Sequence, residues 1–172
     1  MHKACFPFVA LAFAALAAPA TAPALAQEGG TTVQMAPGLR QDTSAPVEVE
    51  ADRLSVDQAA GTAVFSGNVR VVQGGLRIKS AEATLEYTDD RADVERVVMT
   101  GGVTMTNGTD TAQGQRAVYT IATGEVVVTG DVLLTQGATT ISGSELVYNL
   151  DTGLGVMTGR VQTVFVPGKA TP

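Results

Sequence analysis

One short step recurs along this chain and limits the folds open to it. Gly67-Asn68-Val69, Gly101-Gly102-Val103, Gly130-Asp131-Val132 and Gly159-Arg160-Val161 each open an alternating apolar stretch. The intervals from Gly101 to Gly130 and from Gly130 to Gly159 are both 29 residues. Tyr119 and Tyr148 keep the same interval, each 11 residues before the next of these glycines, and Val56 stands 11 before Gly67. A period of this size marks stacked units that cannot bury their apolar faces alone. The interval from Gly67 to Gly101 is longer, at 34 residues, and Thr88 to Glu95 reads as the longer hairpin that absorbs the difference.

Between the repeated steps the pattern is alternation. Val47-Glu48-Val49-Glu50 puts two valines on one face and two glutamates on the other, and Val69/Val71, Leu76/Ile78, Val103/Met105, Val132/Leu134 and Leu146/Tyr148/Leu150 continue it. Period-two runs rich in Val, Thr and Tyr are half-buried strands. Gln73-Gly74-Gly75, Asn107-Gly108, Thr123-Gly124, Gln136-Gly137 and Asp151-Thr152-Gly153 supply the turns between them, because glycine and Asn-Gly accept the positive φ of tight hairpins. No window of a dozen residues carries helical spacing. The expectation is an all-β single domain of roughly 9–14 antiparallel strands, two per repeat. A jelly-roll-like wrap of two sheets and a β-helix both accommodate glycine-punctuated repeats; long hairpin-type alternation favours the first.

The ends read differently. Lys3, the apolar run Phe6 to Ala18 and Ala24-Leu25-Ala26 form the charge, apolar core and small-x-small site of a secretory leader, residues 1–26. Gln27 to Pro46 is rich in Gly, Thr, Pro and Ser without apolar period and reads as a flexible linker, and residues 168–172 as a short tail. Cleavage near Ala26 would leave a chain with no Cys, His or Trp and a net charge of −7. That composition excludes Ser-His-Asp and Cys-His nucleophiles and any His- or Cys-ligated metal. It argues equally against nucleic acid, which needs clustered cations. Glu48 and Glu50 read as a solvated strand face, and Asp89, Asp90 and Asp93 lack the spaced oxygen ligands of a calcium loop. The expectation is a non-enzymatic protein without cofactor or metal.

Pro46 to Val56 (Pro-Val-Glu-Val-Glu-Ala-Asp-Arg-Leu-Ser-Val), Val64 to Gly74 (Val-Phe-Ser-Gly-Asn-Val-Arg-Val-Val-Gln-Gly) and Leu76 to Ala81 together resemble the OstA-like family. Val127 to Gln136, Ile141 to Tyr148 and Val161 to Pro167 continue the likeness, so that it covers residues 47–167. The resemblance implies a twisted, partly open β-jelly roll whose interior carries the acyl chains of lipopolysaccharide across the periplasm. Such chains need shelter: each CH₂ in water costs roughly 0.8 kcal/mol, so about twelve carbons cost on the order of 10 kcal/mol.

By matching position, Val47 and Val49 on the first strand resemble groove-lining residues, as do Met105, Tyr119 and Ile121 in the middle copies. The same inward phase adds Val56, Phe65, Val69, Leu134, Ile141 and Tyr148. Plain core packing is the alternative reading of each. The implied partners are an inner-membrane lipopolysaccharide-export complex on one side and an outer-membrane translocon on the other. Exposed edge strands, Val47 to Ala51 and Val161 to Val166, would make the joints by β pairing. The short segment ending at Pro172 departs from relatives with a long polar tail and leaves end-to-end self-association open. The competing reading is a structural or adhesive exported β-repeat protein with a closed interior. A carbohydrate-active β-helix is a third, opposed by the lack of aromatic platforms.

Overall fold

A computed structural model describes residues 31–34 and 44–165. These hold eleven strands: β1 (Thr31–Gln34), β2 (Val47–Glu50), β3 (Arg53–Asp57), β4 (Thr62–Gln73), β5 (Leu76–Tyr87), β6 (Val94–Asn107), β7 (Asp110–Thr120), β8 (Glu125–Gln136), β9 (Thr139–Asn149), β10 (Leu154–Thr158) and β11 (Gln162–Phe165). Successive strands from β4 to β10 pair antiparallel, so the sheet runs β1-β10-β9-β8-β7-β6-β5-β4-β2, with β3 also on β4 and β11 also on β9. The loop of residues 88–93 joins β5 to β6, where the longer first repeat places its extra residues.

The expected leader and tail lie outside the described residues. Within the expected linker, the chain departs from a flexible connection: Thr31–Gln34 forms a strand against β10. Four residues are too few for a legible period, and here an unpaired edge supplies the partner that local sequence does not reveal.

Each long strand bends midway. The register slips between Ser66 and Val69 on β4, Thr100 and Val103 on β6, and Thr129 and Val132 on β8, a line of bulges crossing the sheet. A bulge adds a residue to one strand and turns it. Gly130 shows why the sequence keeps glycine there. Its φ is +85, and a Cβ would stand 2.8 Å from the Cβ of Gln115. Gly67, Gly101 and Gly159 take the same place over Asp52, Ala81 and Ser144.

At Gly67, Gly101 and Gly130 the Gly-x-Val step is therefore a corner inside a strand rather than its start, whereas at Gly159 it separates β10 from β11. Alternation resumes immediately after the corner, which in sequence looks like a beginning. The outcome is a β-jelly roll of two leaves. The first holds β2, β11 and the parts of β4–β9 near the turns at residues 74–75, 108–109 and 137–138. The second holds β3, β10, β1 and the remaining halves.

Candidate functional site

Four transverse rows of inward residues run from edge to edge, two on each leaf, and buried Val69, Ser80, Val103, Gly114 and Val132 lie between them at the corners. On the first leaf, Val49, Val71, Ile78, Met105, Ala112, Leu134, Ile141 and Thr163 follow one another in register, with Val47, Gln73, Leu76, Asn107, Asp110, Gln136, Thr139 and Phe165 beside them. On the second leaf one row runs from Leu54 and Phe65 through Met99, Val128 and Leu146 to Met157. The other runs from Val56 through Ala63, Leu85, Val97, Tyr119, Val126 and Tyr148 to Gly155. At about 4.8 Å per strand, the seven spacings from one edge to the other make each row roughly 34 Å long.

The eleven residues expected to line a groove divide by burial. Val69, Met105, Tyr119, Leu134, Ile141 and Tyr148 are buried in one cluster drawn from both leaves. Val49, Phe65 and Ile121 are half-buried and pack against it, Ile121 from the 3₁₀ turn after β7. Val47 and Val56 begin their rows at the edge and remain 44% and 60% exposed. Val56 holds the position that Tyr119 and Tyr148 hold in later repeats. It lies open because β3 has one described neighbour where β7 and β9 each have a strand on both sides.

At the far edge the rows end unequally: Phe165 is 65% exposed, whereas Met157 and Gly155, on the strand that β1 covers, are buried. In this structure the space between the leaves is occupied by the chain's own side chains. One concavity of about 360 Å³ opens at the head of a row, lined by Val56, Thr62 and Tyr87, and others lie elsewhere. One of about 340 Å³ is lined by Glu48, Glu50, Arg70, Arg77 and Lys79 beside β2, and another of about 470 Å³ follows the corner at Gly67 and Gly101.

Several residues of the site were not singled out from sequence. Gln73 and Asp110 are polar yet only 3% exposed. Gln73 donates from Nε2 to the Ala45 carbonyl at 3.0 Å, and Gln136 Nε2 donates to Asp110 Oδ2 at 3.2 Å. Gln73 also meets the Tyr119 hydroxyl, so a hydrogen bond joins the first leaf to the second. Burial raises the Tyr119 phenol above its ordinary value near 10, and the Asp151 carboxylate adds to the rise, while the bond to Gln73 works against it. A signal for this seam exists in the chain. Gln73, Asn107 and Gln136 each stand immediately before a turn glycine, one per repeat, and Asn107 and Gln136 are 29 residues apart.

Met99, Leu146 and Met157, all at most 1% exposed, were likewise missed as the centre of the second leaf. Among the described residues no group of three His, Cys, Asp or Glu side chains could hold a metal. The arrangement offers a long apolar interior, with a polar seam along one side and exposed apolar side chains at each edge.

Comparison with known proteins places this architecture. The family model described as LptA/(LptD N-terminal domain) LPS transport protein matches residues 48–154, more than half of the chain. The chain is 32% identical over 117 residues to an uncharacterized protein of Rhizobium meliloti, covering 63% of this chain and 61% of that one. It is 36% identical over 67 residues to the lipopolysaccharide export system protein LptH of Pseudomonas aeruginosa, covering 39% of this chain and 38% of that protein. The chain thus spans less than two thirds of the length of these curated relatives.

A crystal structure of LptH, the LptA-homologous periplasmic component of the lipopolysaccharide transport device of Pseudomonas aeruginosa, superposes with a TM-score of 0.66 at 22% identity. The match covers 74% of this chain and 99% of that one, and it establishes the common β-jelly-roll fold. On the span of the family match, with the fold in agreement, the chain belongs to the LptA/LptD N-terminal-domain family of LPS transport proteins.

Proposed function

We propose that this protein is a periplasmic, non-enzymatic carrier that holds the acyl chains of lipopolysaccharide between its leaves. It would pass the lipid from an inner-membrane export complex at one edge to an outer-membrane translocon at the other. One observation carries the reading: apolar rows cross the full width of the sheet, and each edge carries exposed apolar side chains, Val47, Leu54 and Val56 at one and Phe165 at the other. A core built only for stability would gain from closing its ends, since exposed apolar area at a sheet edge invites association. Loading parts the leaves along the seam that Gln73 and Tyr119 close, and acyl chains then replace contacts between Met105, Leu134, Tyr119 and Tyr148. Family membership supports the same reading.

Photocrosslinking side chains at Val49, Met105 and Tyr119 test it in cells. They are expected to label lipopolysaccharide, while the same probe at Glu48 or Glu50, on the outer face of β2, is not. Equal labelling at both sets would sink the assignment.

A closed structural or adhesive scaffold is the second reading. It draws on the burial of the interior, where Met99, Leu134 and Met157 are fully covered by the chain itself. Native mass spectrometry of protein recovered from its own periplasm separates the two: the carrier retains lipid, and the scaffold does not.

A further inference from the structure

The two docking edges are unequal. At the amino-terminal end, no strand among the described residues lies against the outer side of β2 and β3. At the carboxy-terminal end β11 is bare in the same way, but β10 is not. Thr31, Thr32, Val33 and Gln34 run antiparallel to it, opposite Met157, Val156, Gly155 and Leu154. The covering strand stands outside the shared domain, because the family match begins at residue 48.

Level and direction decide what this strand displaces. β2 lies on Arg70–Gln73 and β11 on Thr139–Ser142, both in the first leaf. β3 lies on Thr62–Ser66 and β10 on Glu145–Tyr148, both in the second. Five antiparallel steps separate β4 from β9, so the β2–β3 edge and the β10–β11 edge run in opposite directions. A second copy stacked by translation would bring its β2 to β11 and its β3 to β10, continuing the antiparallel alternation. The two edges are also matched in build, four and five residues about one corner and five and four about the other. Thr31–Gln34 occupies the place that the second copy's β3 would take.

We propose that Thr31–Gln34 is a guard strand: it fills the outer edge of β10 and must leave before β3 of a second copy of this chain can pair there. The tether permits this. Thirteen Cα steps separate Gln34 from Val47 and span at most roughly 43–47 Å. Eight strand spacings separate β1 from β2, about 38 Å measured along the sheet. The reach suffices with little slack, so the guard pairs in its own molecule and leaves without unravelling the domain. A guard released in about one molecule in ten weakens the apparent affinity of copy for copy about tenfold.

The inference rests on the end-to-end joint of the carrier reading, and its test separates the two. The full chain is compared by sedimentation equilibrium with Val33→Pro, which removes a backbone donor and the extended pairing of β1. The variant is expected to self-associate about tenfold more tightly; association equal to that of the parent overturns the guard. In a Cys5→Ser background, Thr32→Cys with Val156→Cys, a register pair, locks the guard when oxidised. The locked form is expected to stay monomeric where the reduced form associates, and association unchanged by oxidation overturns the guard as well. Ser55→Pro added to Val33→Pro is expected to abolish the gain, and its persistence overturns the assignment to β3. Lipid labelling at Met105 is read in every variant. Its absence, with the guard effects intact, counts against the carrier and not the guard.

Discussion

Gly130 and Gly108 both have positive φ, yet the structure separates their roles. At Gly130 a Cβ would meet Gln115 at 2.8 Å, whereas nothing lies within 4 Å of one at Gly108. Gly130→Ala combines left-handed strain with a clash and is expected to cost about 2–4 kcal/mol in urea denaturation. Gly108→Ala carries the strain alone, about 1–2 kcal/mol. Burial divides the apolar residues in the same fashion. Met105→Ala, at a side chain 2% exposed, is expected to cost about 2–5 kcal/mol. Val164→Ala, at one 67% exposed, should stay within about 0.5 kcal/mol. Alternation made the inward phase of Met105, Leu134 and Tyr148 legible in the chain. It could not reveal that Val47 and Val56 lie open, because exposure at a sheet edge depends on which neighbour is missing.

At the scale of elements, the leaves are joined by main-chain corners at one end of their halves and by the Gln73–Tyr119 seam at the other. The Tyr119 phenol is held neutral by burial, with Asp151 adding to the effect, so its folded value lies above the unfolded value near 10. The folded state then binds the proton more tightly. Stability from this group is intact below pH 10 and declines as pH rises from there through the folded value, by up to about 1.4 kcal/mol per pH unit. Chemical denaturation between pH 8 and 11 is expected to show the decline. Tyr119→Phe should flatten it, at a loss of about 0.5–1.5 kcal/mol near pH 8 from the missing hydrogen bond.

Strand content and turns could be read from the chain because both are local. Corner and strand start were not distinguishable, since each is a glycine followed by alternation. β1 escaped notice because its partner, β10, lies more than 100 residues away.

For the whole molecule, the edges matter more than the core. Val56 and Phe165 are exposed at opposite edges, and changing both to lysine should leave folding within about 0.5 kcal/mol of the parent. The same double variant is expected to slow lipid passage between differently tagged copies severalfold, read by the appearance of photolabelled lipid on the acceptor. Passage at the parental rate would mean that these edges are not the route. The order of strands followed from hairpin spacing along the sequence, whereas closure of the leaves over one another depended on packing between residues far apart in the chain, such as Met105 and Tyr148 within one core.

The column of corner glycines has a consequence for size. Each 29-residue module between Gly101 and Gly159 contributes two strands, about 10 Å of span, and leaves both termini chemically as they were. Duplicating one would yield a longer protein with the same couplings, so evolution can tune how far such a molecule reaches by counting modules rather than by redesigning its ends.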